Sequence, residues 1–382
     1  MSVEASPLEP AVLHVVSEPA QEAGDRLRIA MVAPPWFSIP PSGYGGIESL
    51  VSWLTERLVG RGHDVTLIAP SPSTTSARFR ATLAEPPSHR LGEALPEIVH
   101  TARTRTILEE IGPDVIHDHS TAGPLLAGTR PPTILTAHGP VRGDFGAYYQ
   151  SMAHRVGLVA ISDAQRNLAP EIPWFAMVHN AIPVEDYTFS SEKDDFVLFL
   201  GRMSADKGAH LAIEASRAAG RRLVLAAKCS EPEEVEYFEA EVEPRLGPDT
   251  EWLGEVDGEA KRDLLARAGC LVFPIQWDEP FGLVMAEALA SGTPVVACRR
   301  GSVPEIVEDG VTGFICDELD ELPDAIRRAG DLDPRACRER AASRFDVEVM
   351  VSGYERVYRK AIAEAEERRG SPGTVYSEKP SG

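Results

Sequence analysis

The sequence predicts an α/β protein in which two domains, each built on a mainly parallel sheet, stand in series and face each other across a cleft. Three observations carry that expectation. Short β-branched and apolar runs alternate with segments of helical apolar spacing from residue 27 onward. The alternation restarts after Asn180-Ala-Ile-Pro-Val-Glu-Asp-Tyr187, whose proline and acidic residues suit an interdomain linker. A length of 382 residues with 43% hydrophobic content suffices for two domains of ordinary size.

Taken in order, residues 1–25 are acidic and rich in Ala, Glu and Pro, and read as a mobile leader. The first domain, 26–182, opens on a strand over 27–34, followed by a long loop, a helix over 47–61 and a strand over 64–69. Further strands are expected at 115–117, 133–137 and 157–161, with helices at 96–111 and 150–154. The second domain, 188–346, repeats the pattern: strand 196–200, helix 209–219, strand 222–227, then strand 271–273, helix 285–290, and strands 293–297 and 313–316. Residues 347–369 carry Val351, Tyr354, Val357, Tyr358 and Ile362 at helical spacing and form a terminal helix; 370–382 read as a disordered tail.

Composition excludes several classes. A formal net charge of −21 argues against a surface made for nucleic acid or anionic lipid, since both need clustered Lys and Arg. The five cysteines form no CxxC pair and read as reduced thiols of a cytoplasmic protein. No apolar run approaches the roughly 20 residues that span a bilayer, and no secretion signal opens the chain.

Chemistry concentrates in the loops after strands. Glu279-Pro-Phe-Gly-Leu-Val-Met-Ala-Glu287 sets two carboxylates around a glycine turn that opens a helix, whose free N–H groups and partial positive charge suit a pyrophosphate. Taken alone, the pair reads as a solvated loop and an exposed helix face. Its setting between two apolar strand runs, in a βαβ unit whose ligands collect at the carboxyl ends of strands, favours a site. Gly201-Arg-Met-Ser-Ala-Asp-Lys-Gly208 brings Arg202 and Lys207 together, a forked guanidinium and a movable ammonium for a diphosphate, unless Arg202 pairs with Asp206.

Pro41-Ser-Gly-Tyr-Gly-Gly-Ile-Glu48 places Gly45 and Gly46 directly before a helix, where the backbone can approach a ligand closely; it is not the GxGxxG fingerprint, which disfavours a dinucleotide dehydrogenase. His138 precedes Gly-Pro at a strand end and is expected at the cleft rim, while His117 reads as a satisfied core histidine. His117-Asp-His119 lacks further ligands at a zinc spacing, so no metal is expected. Lys228 ends a strand on the cleft side, and the backbone near Val256 is placed to meet a base. Ser302 and Glu305 have the Ser-x-x-Glu spacing of a capping box.

With Gly45-Gly46, His138, Arg202, Lys207 and Glu279-x7-Glu287 in this order, the chain resembles the retaining glycosyltransferases of family 4, with the GT-B fold of two facing Rossmann-like domains. The likeness runs from Leu27 to about Ala363 and rests on the Gly-Arg…Lys-Gly loop and the Glu-Pro-Phe-Gly-Leu…Ser-Gly-Thr-Pro-Val-Val-Ala block. The resemblance implies that Arg202 and Lys207 bind the donor diphosphate, Glu287 the ribose and Glu279 the transferred sugar. It further implies that the Phe281-Gly282-Leu283 backbone meets sugar or phosphate, that Gly45 and Gly46 close over the phosphate, and that His138 approaches the sugar. It also implies a terminal helix that crosses back to the first domain, a UDP-hexose donor and a front-face reaction with no metal or other cofactor. The sparse basic or apolar amphipathic sequence of the first domain favours a soluble acceptor. Two alternatives stay open: a nucleotide-sugar epimerase of the same fold, and a non-catalytic nucleotide-sugar binding protein. A phosphorylase is disfavoured, because it needs a lysine-bound pyridoxal phosphate and a much longer chain.

Overall fold

Strands buried on both faces read as near-continuous apolar runs, and 29–32, 197–199, 223–227 and 295–297 are such runs, while 65–69 is broken only by the buried Thr66. The structure, a computed structural model, describes residues 26–43, 45–128 and 130–370. The expected leader 1–25 and the tail beyond Gly370 lie outside the described residues.

The first sheet contains β1 (Arg28–Val32), β2 (Asp64–Ala69), β3 (Arg78–Ala81), β4 (Val115–Asp118), β5 (Thr133–Ala137), β6 (Gly157–Ala160) and β7 (Ala176–Met177). Its order is β3-β2-β1-β4-β5-β6-β7, with every pair parallel. The crossovers carry α1 (Gly46–Gly60), α2 (Ala94–Ile111), α3 (Gly143–Met152) and α4 (Asp163–Leu168). Helix α3 begins well before the expected helix at 150–154. Two short strands, β3 and β7, were not anticipated: β3 is a partly exposed edge strand with the sequence Arg-Phe-Arg-Ala.

The second sheet contains β8 (Phe196–Arg202), β9 (Arg222–Lys228), β10 (Thr250–Gly254), β11 (Cys270–Phe273), β12 (Val295–Cys298) and β13 (Gly313–Cys316), in the order β10-β9-β8-β11-β12-β13. Its helices are α5 (Ala209–Ala219), α6 (Pro232–Tyr237), α7 (Gly258–Arg267), α8 (Leu283–Ala290), α9 (Val303–Ile306), α10 (Leu322–Arg328) and α11 (Pro334–Arg344), and α12 (Val347–Gly370) follows. Both sheets reverse direction of growth beside their first strand, between β1 and β4 and between β8 and β11. Crevices outside the carboxyl ends of strands open at such switch points, so one candidate crevice faces the other.

The chain crosses between the domains twice, and the two crossings run side by side. Ile182 N–H donates to Phe345 O (3.0 Å), and Val347 N–H donates to Ile182 O (2.9 Å). Helix α12 then packs on α1, and its Met350, Val351, Tyr354, Val357, Tyr358 and Ala361 are buried in one core with Met31, Leu54 and Val115 of the first domain.

Candidate active site

The loop after β8 is fixed against the loop after β11. Gly208 caps α5 with φ 76°, and a Cβ there would stand 2.6 Å from Pro274 O, so only glycine lets the two loops touch. Gln276 N–H donates to Asp206 O (2.8 Å) across the same contact. Lys207 consequently forms an ion pair with Glu279, both side chains mostly buried, and its Nζ lies 5.7 and 5.6 Å from the ring centroids of Phe273 and Trp277. The resemblance gives Lys207 to the donor diphosphate and Glu279 to the transferred sugar; the structure brings the two side chains into contact.

Arg202 does not pair with Asp206. Its Nη1 stands 3.9 Å from Glu234 Oε1, and Lys228 Nζ stands 3.6 Å from Glu234 Oε2. Glu234 is a buried carboxylate at the start of α6 that also accepts the Ser230 and Glu231 N–H groups. One buried anion therefore gathers both cations at the ends of β8 and β9. Val256 follows β10, half-buried, on the same rim.

Glu287 is not on an exposed face. It is 4% exposed, and its Oε1 accepts from Tyr187 OH (2.9 Å) and Lys261 Nζ (2.6 Å). Gly282 caps α8 at φ 75°, and Phe281 is buried behind it, with Phe281 O accepting from Ser302 Oγ (2.6 Å). Leu283, the first residue of α8, faces the first domain: a Cβ on Gly46 would stand 3.5 Å from Leu283 Cδ1. A Cβ on Gly43 would stand 3.3 Å from Glu255 Oε1. The glycine loop, with Gly45 as the cap of α1, thus lies directly against the donor-side loops.

A family model described as Glycosyltransferase Family 4 matches residues 44–186, and one described as Glycosyl transferases group 1 matches 186–344. The crystal structure of a glycosyltransferase involved in avilamycin A biosynthesis is 30% identical, with 88% of this chain and 98% of that chain covered and a TM-score of 0.70. The chain belongs to glycosyltransferase family 4, with the GT-B fold. A glycogen synthase of Mycobacterium tuberculosis is 26% identical over 91% of this chain and 97% of its own length. The Anabaena HepE structure in complex with UDP-glucose shares the fold at a TM-score of 0.64 and 18% identity, covering 90% of this chain and 100% of that one. This family 4 glycosyltransferase takes its sugar from a nucleotide sugar.

The opposite wall of the glycosyltransferase is a chain of histidines. His117 is buried between Tyr358 OH (2.7 Å) and Thr136 Oγ1 (2.8 Å), as a satisfied core residue. His119 Nδ1 lies 2.8 Å from His138 Nε2, and the two rings stack. Burial lowers the His138 imidazole to about 4 and takes His117 and His119 well below their usual range, so all three are neutral at pH 7. His138 Nδ1 is buried and has no hydrogen-bond partner. Beside this chain, Asp118 is buried and pushed up to about 7 by desolvation. Among the described residues, no group of three or more His, Cys, Asp or Glu side chains could hold a metal ion.

One expectation is corrected. Ser302 and Glu305 form no capping box: Ser302 Oγ bonds Phe281 O, and the Glu305 carboxylate crosses to the first domain. On the surface of the first domain, Leu91, Leu95, Ile98, Leu125, Leu126 and Phe145 are exposed. No helix among the described residues is long and apolar enough to cross a membrane. Glu234, Tyr187 and Lys261 escaped sequence reasoning. Their partners lie far away in the chain, except for the Glu231-x-x-Glu234 spacing, which is a readable cap.

Proposed function

We propose that the protein is a retaining hexosyltransferase that moves a hexose from UDP-hexose to an acceptor held against the first domain. The observation that carries this reading is the convergence of Arg202, Lys207, Lys228, Glu279 and Glu287 at the carboxyl ends of the second sheet, with Gly46 facing Leu283. Arg202 and Lys207, with the N-terminus of α8 exposed at Gly282 and Leu283, meet the diphosphate and stabilise the charge that grows as it leaves. Lys207 leaves Glu279 for the phosphate, which frees Glu279 to accept from a sugar hydroxyl. Glu287, held by Tyr187 and Lys261, accepts from the ribose hydroxyls. Val256 and Lys228 border the base and phosphate ends. Gly45 and Gly46 close over the phosphate, and neutral His138 hydrogen-bonds the sugar.

The acceptor hydroxyl attacks the anomeric carbon on the face from which the diphosphate departs, and a phosphate oxygen takes its proton. The new C–O bond forms as the old one breaks, so the configuration is kept. Positive charge comes from side chains and backbone, so the step proceeds without a metal or another cofactor. The solved UDP-glucose complex of HepE supports the choice of nucleotide and sugar. The acceptor is taken to be soluble, and the exposed apolar side chains of the first domain, Leu125 and Leu126 among them, suit one with some apolar surface.

A thermal-shift screen of nucleoside diphosphates and their sugars tests the donor, since a ligand bound only by the native state raises Tm. UDP and one UDP-hexose should give the largest shifts, and transfer to a hit acceptor should persist in EDTA. NMR of the product's anomeric proton should show the donor's configuration; inversion would end the front-face mechanism. UDP binding without sugar transfer would favour a binding protein, and interconversion of the donor sugar would favour an epimerase.

A further inference from the structure

Glu305 accepts three hydrogen bonds from the other domain or the linker: from Asp163 N–H (2.9 Å), from Ala164 N–H (2.5 Å) and, across a 2.8 Å contact, from His179 Nε2. Burial alone would raise this carboxylate, yet the bonds from His179 and the two N–H groups hold it below its usual range. Its own backbone is pinned in turn, as Arg340 Nη2 donates to Glu305 O (2.8 Å) and Nε to Ile306 O (3.2 Å).

What lies at each end of this contact gives it meaning. On the donor side, the same short segment holds the reacting loop, because Ser302 N–H donates to Glu279 O (3.0 Å) and Ser302 Oγ to Phe281 O (2.6 Å). On the other side, α4 carries Gln165, which is buried. Its Nε2 donates to Ala137 O (2.8 Å) and Gly139 O (2.9 Å), the two carbonyls that flank His138, and its Oε1 accepts from Ile161 N–H (2.9 Å). An unbroken series of hydrogen bonds runs from the Glu279 loop through Ser302, Glu305, the first turn of α4 and Gln165 to the peptide groups that aim His138.

We propose that Glu305 and Gln165 are positioning residues that set His138 of the first domain in register with the Glu279 loop of the second. This rests on the reading of His138 and Glu279 as two walls of one site. Neither residue touches the sugar; both fix where groups that do touch it stand, and displacement of such groups by about 1 Å can cost about 100-fold in rate. The domains of a GT-B protein are separate bodies, so a register between their walls needs a contact of this kind.

The test uses the full chain with Glu305→Met, Gln165→Met, the double variant and the conservative Glu305→Gln. Each single Met variant should lower kcat about 10- to 100-fold, the scale of one lost charge-assisted or paired hydrogen bond, with UDP affinity by calorimetry within about twofold of wild type. The double variant should be no slower than the slower single variant, since both act through one series, and Glu305→Gln should recover part of the rate. Losses that multiply, or an equal fall in UDP affinity, would overturn the proposal. Amide hydrogen exchange gives a readout that does not depend on the sugar chemistry: Glu305→Met should speed exchange across residues 137–141 but not in β8 or β9. If those amides exchange at the wild-type rate, there is no series, whatever the enzyme transfers. If wild type turns over no UDP-hexose while exchange responds as expected, the donor assignment fails and the coupling stands.

Discussion

Lys261→Met isolates the interaction that holds Glu287. In the native structure the Glu287 carboxylate is buried, with Lys261 Nζ at 2.6 Å and Tyr187 OH at 2.9 Å on the same oxygen. Methionine keeps most of the packing of the lysine stem and removes the charged donor. A hydrogen bond to a charged group contributes about 1.5–3 kcal/mol. Because the Lys261 side chain remains 27% exposed, the lower part of that range applies, about 1.5–2 kcal/mol. A domain of this size loses about 2–4 °C of Tm per kcal/mol, which gives a fall of about 3–8 °C by calorimetry. UDP affinity should drop about tenfold as the carboxylate loses its fixed direction. Lys261→Met combined with Glu287→Gln should recover about 1 kcal/mol relative to the sum of the single changes, because the buried charge left without its partner is then gone. An unchanged Tm in Lys261→Met, or strictly additive losses in the double variant, would refute the reasoning.

Gly301→Ala should abolish transfer and destabilise the second domain by more than about 2 kcal/mol, read by urea unfolding: φ is 48° there, and a Cβ would stand 2.2 Å from Glu279 O. Glu48, buried in the first turn of α1, is pushed up by desolvation from 4.5 to about 7. The native state then holds this proton more tightly than the unfolded state, so stability is greatest below about pH 4.5 and falls as pH rises to about 7. Glu48→Gln should therefore gain about 3 kcal/mol over wild type at pH 8 and almost nothing at pH 4, measured by denaturant melts; an equal difference at both pH values would sink the assignment.

Much of this molecule is legible in one dimension because parallel strands buried on both faces write themselves as continuous apolar runs. β2 and β5 fall at the residues expected from their apolar and β-branched content, and α5 at those expected from its helical apolar spacing. β3 is missed for the complementary reason: an edge strand with two arginines lacks that run. In the site, Arg202, Lys207, Glu279 and Glu287 stand out through local spacing at strand ends. Glu305 misleads, since a serine three residues before a glutamate is the same text whether the glutamate turns back to its own helix or reaches the other domain. Lys261 and Tyr187 carry no text at all, and only the folded chain brings them to Glu287 from 26 and 100 residues away.

The packing of α12 also sets an order of events during synthesis. Val347, Met350, Val351, Tyr354, Val357, Tyr358 and Ala361 belong to the core of the first domain, although nearly the whole second domain separates them from the rest of it. A nascent chain that has just completed β7 has every strand of its first sheet and an open apolar face where Tyr354 and Tyr358 belong. At about 5–20 residues per second, the missing helix arrives roughly 10 to 35 s later. Through that interval the second domain, whose core lies almost wholly between β7 and α12 in the chain, can close first, so the domain made before it is finished after it.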